Sequence, residues 1–119
     1  MITREVQLHT GLKIGDDQVT VAVIREETLG DELDALEAGH DGVKAHRKIM
    51  MARVIRLGTL DHPQEAVLKK LSRTDWELIE RDLQTLDLDL AKAAGLLDDN
   101  GEPVERGRSQ PGGEAPGDV

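Results

Sequence analysis

The chain has 119 residues, no Cys, Phe or Tyr, a single Trp, and 24 acidic against 15 basic side chains, a formal net charge of -9. The missing thiols exclude disulfides, thiolate zinc sites and Cys nucleophiles. The negative balance runs against a general nucleic-acid or anionic-membrane binder, because phosphate contacts need clustered cations.

Without rings, burial rests on Leu, Ile, Val, Met and Ala, so one domain's length of chain has a thin core to work with. Residues Met1–Leu8 carry Arg4 and Glu5 and no apolar run, which is not the pattern of a signal peptide. No stretch approaches the ~20 apolar residues of a bilayer span. The expected location is cytoplasmic.

The first elements read as β. Val6 and Leu8 alternate with polar residues, Gly15-Asp16-Asp17 is a turn signal, and Gln18 to Ile24 places Val19, Val21 and Val23 on one face and Thr20, Ala22 and Ile24 on the other. This predicts a hairpin over 5–24, which should pack on helices because a lone hairpin is marginal in water. Thr28-Leu29-Gly30-Asp31 has the form of a capping box with Asp at the third helical position. A helix over 29–38 follows. Leu29, Leu33 and Leu36 form its apolar stripe, with Glu32, Asp34 and Glu37 facing out.

Gly39-His40-Asp41-Gly42 separates this from a second helix over 43–57, with Val43, Met50, Val54 and Leu57 on one face at about 100° per residue. It is the least polar helix and is expected at the centre, with Gly58 as its stop. A short third helix over 64–71 follows Pro63, a residue suited to a first helical position. Ser72-Arg73-Thr74-Asp75 starts a fourth. From there Trp76, Ile79, Leu83, Leu86 and Leu90 recur at steps of three and four, extended by Ala93 and Leu97, although Gly95 interrupts the helical pattern. From Asp98 to Val119 the chain is Gly-rich, holds all but one of the Pro residues and has few apolar side chains. Such a segment buries too little to offset ordering entropy. The fold class expected is therefore α+β, with an N-terminal β-hairpin followed by a small bundle of four to five helices over 1–97 and a disordered acidic C-terminal tail, 98–119.

Few residues group into a reactive centre. His40, Asp41 and His46 are the nearest approach to a metal set, but no fourth ligand or supporting shell is evident, and a reading as exposed loop and helix-start residues is strongly favoured. Acid pairs such as Glu26-Glu27 are abundant, while acid–base chemistry needs one carboxyl in a desolvated pocket. Ser72 serves as a helix cap, and nucleophile-elbow, Walker and dinucleotide glycine motifs are absent. The expectation is a binding protein and no enzyme, with no catalytic residue, metal or cofactor.

Two features point to partners. The interval 43–60 has no acid but carries Lys44, Arg47, Lys48, Arg53 and Arg56. Lys44, Lys48 and Arg56 are candidate contacts for an acidic partner or nucleic acid, or simply pair with the acidic first helix. Trp76, Ile79, Leu83 and Leu86, with Met50 and Val54, are core or partner-contact positions, and periodicity does not separate the two roles. Trp76 is the best single anchor among them.

The order of four motifs carries a resemblance. Leu8-His9-Thr10-Gly11-Leu12-Lys13-Ile14-Gly15 opens the hairpin, and Val21-Ala22-Val23-Ile24-Arg25-Glu26-Glu27-Thr28-Leu29-Gly30-Asp31 leads into an acidic helix. Ile55-Arg56-Leu57-Gly58-Thr59-Leu60 and Leu71-Ser72-Arg73-Thr74-Asp75-Trp76 come later. Over about residues 5 to 90 this resembles the Mu-like phage tail assembly chaperones, although Glu27 stands where that family's L-R-E-P-T-x-x-D signature has Pro.

The resemblance implies a non-catalytic protein of the host bacterial cytoplasm, absent from the mature virion. It would bind the long helical tape measure protein and help tail tube subunits assemble around it. The tail tube protein is a further partner the resemblance implies, while a second copy of the chain is expected from the thin core alone. Many members are also made in a longer, frameshifted form. The alternative from the residues alone is a small nucleic-acid-associated regulator using the basic helix 43–57, and a third reading is a small enzyme built on His40, Asp41 and His46.

Overall fold

A computed structural model describes residues 1–104. These fall into two compact units, one spanning Met1–Leu86 and one beginning at Asp87. The fold is mixed α+β: an antiparallel four-stranded sheet and four helices among the described residues. No helix there is long and apolar enough to cross a membrane.

The sheet has the order β1-β2-β3-β4. Strands β1 (Thr3–Ile14) and β2 (Asp17–Arg25) form the expected hairpin around a two-residue turn. Register pairs Arg4 with Ile24 and Val6 with Ala22. On β2, Ala22 and Ile24 are wholly buried, while Thr20 on the same face is exposed. Between Gln7 and Leu12 the register shifts, so β1 bulges outward against β2. Gly11 sits in this bulge at φ 80°, and a Cβ there would run into the Val19 carbonyl oxygen, so only glycine fits.

The second helix is shorter than its periodicity predicts. Helix α2 covers Gly42–Ala52, and Val54–Leu57 is strand β3, with Val54 opposite Ile24, Arg56 opposite Val23 and Leu57 opposite Ala22. Positions 50, 54 and 57 satisfy a helical period, but β2 has a second edge to pair, and Val54-Ile55 suits a strand. The Arg25 N–H donating to the Arg53 carbonyl at 3.0 Å joins the end of β2 to the residue that follows α2. Gly58 does not stop a helix. With Thr59 it turns β3 into the two-residue strand β4 (Leu60–Asp61). A Cβ at Gly58 would come within 2.9 Å of a Val19 methyl.

Helix α2 is not central either, since Met50 is its one buried residue. That place belongs to α4 (Arg73–Ala93), whose Ile79, Leu83 and Leu86 lose essentially all exposure. The third helix, α3 (Glu65–Leu68), is a single turn contributing buried Leu68, and it starts after Gln64 rather than directly on Pro63. The apolar core of the first unit contains no aromatic ring: it is Val6, Leu8, Val19, Ala22, Ile24, Ala35, Met50, Val54, Leu57, Leu68 and the three α4 residues, with Arg53 and Asp75 buried beside them.

Asp75 ties α4 to the sheet. It is fully buried in the helix's first turn, where its own N–H donates to the Ser72 hydroxyl at 3.1 Å. Its carboxylate accepts the backbone N–H groups of His9, Thr10 and Gly11 at 2.7, 3.1 and 2.8 Å. These are the donors that the β1 bulge turns away from β2. Burial pushes this carboxyl up, but the three N–H groups and the Ser72 hydroxyl outweigh it and hold the pKa below the usual Asp range.

In the second unit α4 ends at Ala93, ahead of Gly95. Residues 98–104, expected to be disordered, are held by a local turn instead. The Asp98 side chain accepts from the N–H groups of Asn100 and Glu102, both at 2.9 Å, and Leu97 bridges to Pro103. An Asp-centred turn satisfies the backbone without needing a core, which composition does not register. The rest of the expected disordered tail, 105–119, lies outside the described residues.

Candidate partner-binding surface

Helix α1 (Leu29–Glu37) is anchored at one end with unusual thoroughness for nine residues. The capping box forms: Asp31 N–H donates to the Thr28 hydroxyl at 3.3 Å, and Thr28 N–H donates to Asp31 Oδ2 at 2.8 Å. Arg25, the last residue of β2, grips the same carboxylate through both guanidinium ends at 2.6 and 2.7 Å. Both side chains are mostly buried, 15% and 9% exposed. The Arg25 hydrogen bond is the largest influence lowering the Asp31 pKa, and Asp31 in turn raises that of Arg25.

This anchor fixes the rotation of the helix about its axis. At 100° per residue, Asp31 and Ala35 lie opposite the Leu29–Leu33–Leu36 stripe. Asp31 is held inward by Arg25, and Ala35 is the helix's buried residue. The stripe is thereby turned outward: Leu29 is 71%, Leu33 48% and Leu36 55% exposed, with Val43 at the start of α2 also 71% exposed. The expectation that these leucines pack inward is corrected. The helix buries its small residue and presents its large ones, with the exposed carboxylates Glu32 and Glu37 along either side of the stripe.

A second apolar feature of the first unit is an open groove of about 250 Å³ lined by Met51, Leu68, Leu71 and Trp76, with Lys69 and Arg73 also lining it. Trp76, the expected anchor, is half-buried here.

The other sequence-selected residues separate cleanly. Ile79, Leu83, Leu86, Met50 and Val54 are core side chains, so they support the surface from beneath rather than forming it. The basic residues do not make one face. Lys44 is exposed on α2. Lys48 donates to both oxygens of Glu65 at 2.8 and 2.6 Å, which lowers the Glu65 pKa. Arg56 lies on β3 and pairs with Asp61 at 3.0 Å. Arg53 is buried, its Nε donating to the Arg25 carbonyl at 3.0 Å. The splitting of the predicted 43–57 helix into a helix and a strand disperses these cations. Lys48 and Arg56 pair with Glu65 and Asp61 rather than with acids of the first helix.

His40 lines a mixed cleft between α1 and α2, with Ala35, Ala38, Ile49 and Ala52 beside the charged Asp34, Lys48 and Glu65. Among the described residues no group of three or more His or acidic side chains converges on a metal position. Sequence reasoning missed Asp75 as a buried ligand of the β1 bulge. Its one available signal was an acid in the first turn after a Ser cap, which reads as helix capping alone. No family model, no curated protein and no solved structure matches the chain.

Proposed function

We propose that this protein is a non-catalytic tail assembly chaperone of the Mu-like phage type. It holds the tape measure protein soluble in the host cytoplasm while tail tube subunits assemble on it, and it leaves before the virion is complete. The observation that carries the reading is the outward leucine stripe of α1. An anchored amphipathic helix with three leucines in water and acids beside them suits transient pairing with the apolar face of another helix. The motif order along residues 5–90 supplies the identity of that helical partner.

Three carboxylates of the described residues act as acceptors that hold the surface in place. The carboxylates whose pKa moves, Asp31, Glu65 and Asp75, all move down, so each is ionised at neutral pH and serves as a structural acceptor.

The test is co-expression with the tape measure protein of the same genome, the very long helical reading frame expected immediately downstream. The wild-type chain should keep that protein in the soluble fraction, and the Leu29→Ser/Leu33→Ser/Leu36→Ser variant should not, while remaining folded. Equal insolubility with and without the wild-type chain overturns the proposal.

A further inference from the structure

The leucine stripe and the Trp76 groove match each other in chemistry. The stripe is apolar and flanked by the carboxylates Glu32 and Glu37, all exposed. The groove is apolar along Met51, Leu68, Leu71 and Trp76, and its exposed charges are the cations Lys69 and Arg73. Within one molecule α1 is committed to its seat by the Arg25–Asp31 pair and by buried Ala35. Its outward face therefore has no route to a groove built by α2, α3 and the start of α4 of the same chain.

We propose that the leucine stripe of one copy docks into the Trp76 groove of a second copy. A leucine enters beside the indole, while Glu32 and Glu37 meet Lys69 and Arg73. The contact joins two different surfaces, so it propagates from copy to copy or closes on itself by symmetry. Other conceivable occupants lack such a match on this chain: two stripes face to face bring Glu32 and Glu37 against their own copies, and two grooves bring cations together. Two helical turns of contact fall below the ~1,200 Å² of stable interfaces, so the association is weak, with a Kd in the micromolar range or above. The proposal uses the same stripe as the chaperone reading, so self-docking and client binding exclude each other at a given helix, but its test uses the pure full-length chain with no client and fails or succeeds separately.

Trp76 is the only Trp, so its fluorescence reports this groove alone. Sedimentation equilibrium of the wild-type chain across micromolar to millimolar concentrations should show self-association, accompanied by a blue shift of the Trp76 emission. Glu32→Lys/Glu37→Lys and Lys69→Glu/Arg73→Glu should each be folded, by urea midpoint, and monomeric. Mixing these two variants pairs basic helix with acidic groove and should restore both the mass increase and the blue shift. A wild-type chain that stays monomeric throughout, reversed variants that associate as the wild type does, or a mixture that stays monomeric would each overturn the proposal. Leu33→Asp, at an exposed position, should abolish the blue shift without moving the urea midpoint.

Discussion

Replacing Asp75 by Asn tests whether a buried carboxylate fastens α4 to the β1 bulge. The side chain keeps its shape, but an amide has one acceptor oxygen where the carboxylate has two. Oδ1 takes the N–H groups of His9 and Thr10, and Oδ2 takes that of Gly11. With the amide oxygen facing His9 and Thr10, its NH₂ group confronts the buried Gly11 donor. Leaving a buried donor unmet costs about 1–3 kcal/mol, and the two surviving bonds lose the strength that ionisation lends them, so a total of about 3 kcal/mol is expected. That is a large share of the ~5–15 kcal/mol that a domain has, and it lowers Tm by roughly 12–24 °C for a unit of this size.

The pH dependence has a definite sign. Because the folded pKa lies below the unfolded one, the contribution of Asp75 is present above the ordinary Asp pKa near ~3.9 and is lost as pH falls through the lower folded value. Urea unfolding followed by Trp76 fluorescence should therefore show a wild-type advantage over Asp75→Asn that is constant near neutrality and shrinks only in acid below about pH 4. A variant within about 0.5 kcal/mol of wild type at pH 7, or an advantage that persists unchanged in strong acid, refutes this account.

Three further outcomes follow from the same structure. Gly11→Ala forces a left-handed residue and a collision with the Val19 carbonyl, and should cost about 2–4 kcal/mol in urea unfolding, whereas an unchanged midpoint would mean the bulge relaxes freely. Asp31→Asn weakens the cap and the Arg25 grip together. It should speed amide exchange within α1 by about tenfold, corresponding to ~1–2 kcal/mol, and leave exchange in α4 unaffected. Leu83→Ala opens a cavity in the core and should cost about 3 kcal/mol, while Leu33→Ser at the surface should stay within about 0.5 kcal/mol, and equal effects at the two sites would contradict their assigned burial.

Local chemistry makes several elements legible in the sequence itself. The hairpin rests on β-branched alternation and a Gly15-Asp16 turn, α1 on its capping box, and the start of α4 on the Ser72 cap followed by Ile79, Leu83 and Leu86 at helical steps. These patterns need only a few neighbouring residues, so sequence by itself settles them. Local pattern misleads at Val54–Leu57, where helix and strand periods coincide and the free edge of β2 decides in favour of a strand. It misleads again at Asp98, where a single side chain orders a turn.

The candidate site is half legible. The Leu29, Leu33 and Leu36 stripe is plain in the sequence, and the single Trp76, which the structure places half-buried along a groove, is as easily found there. Which way the stripe faces depends on a pairing between Arg25 and Asp31 and on the burial of Ala35, and both are set by where β2 delivers the chain. The sequence by itself determined the aliphatic core, the acidic balance and which stretches are amphipathic, because these follow from side-chain type and spacing. Only the tertiary structure decided which apolar face is sealed and which meets water, because burial is a property of what packs against a residue and not of the residue.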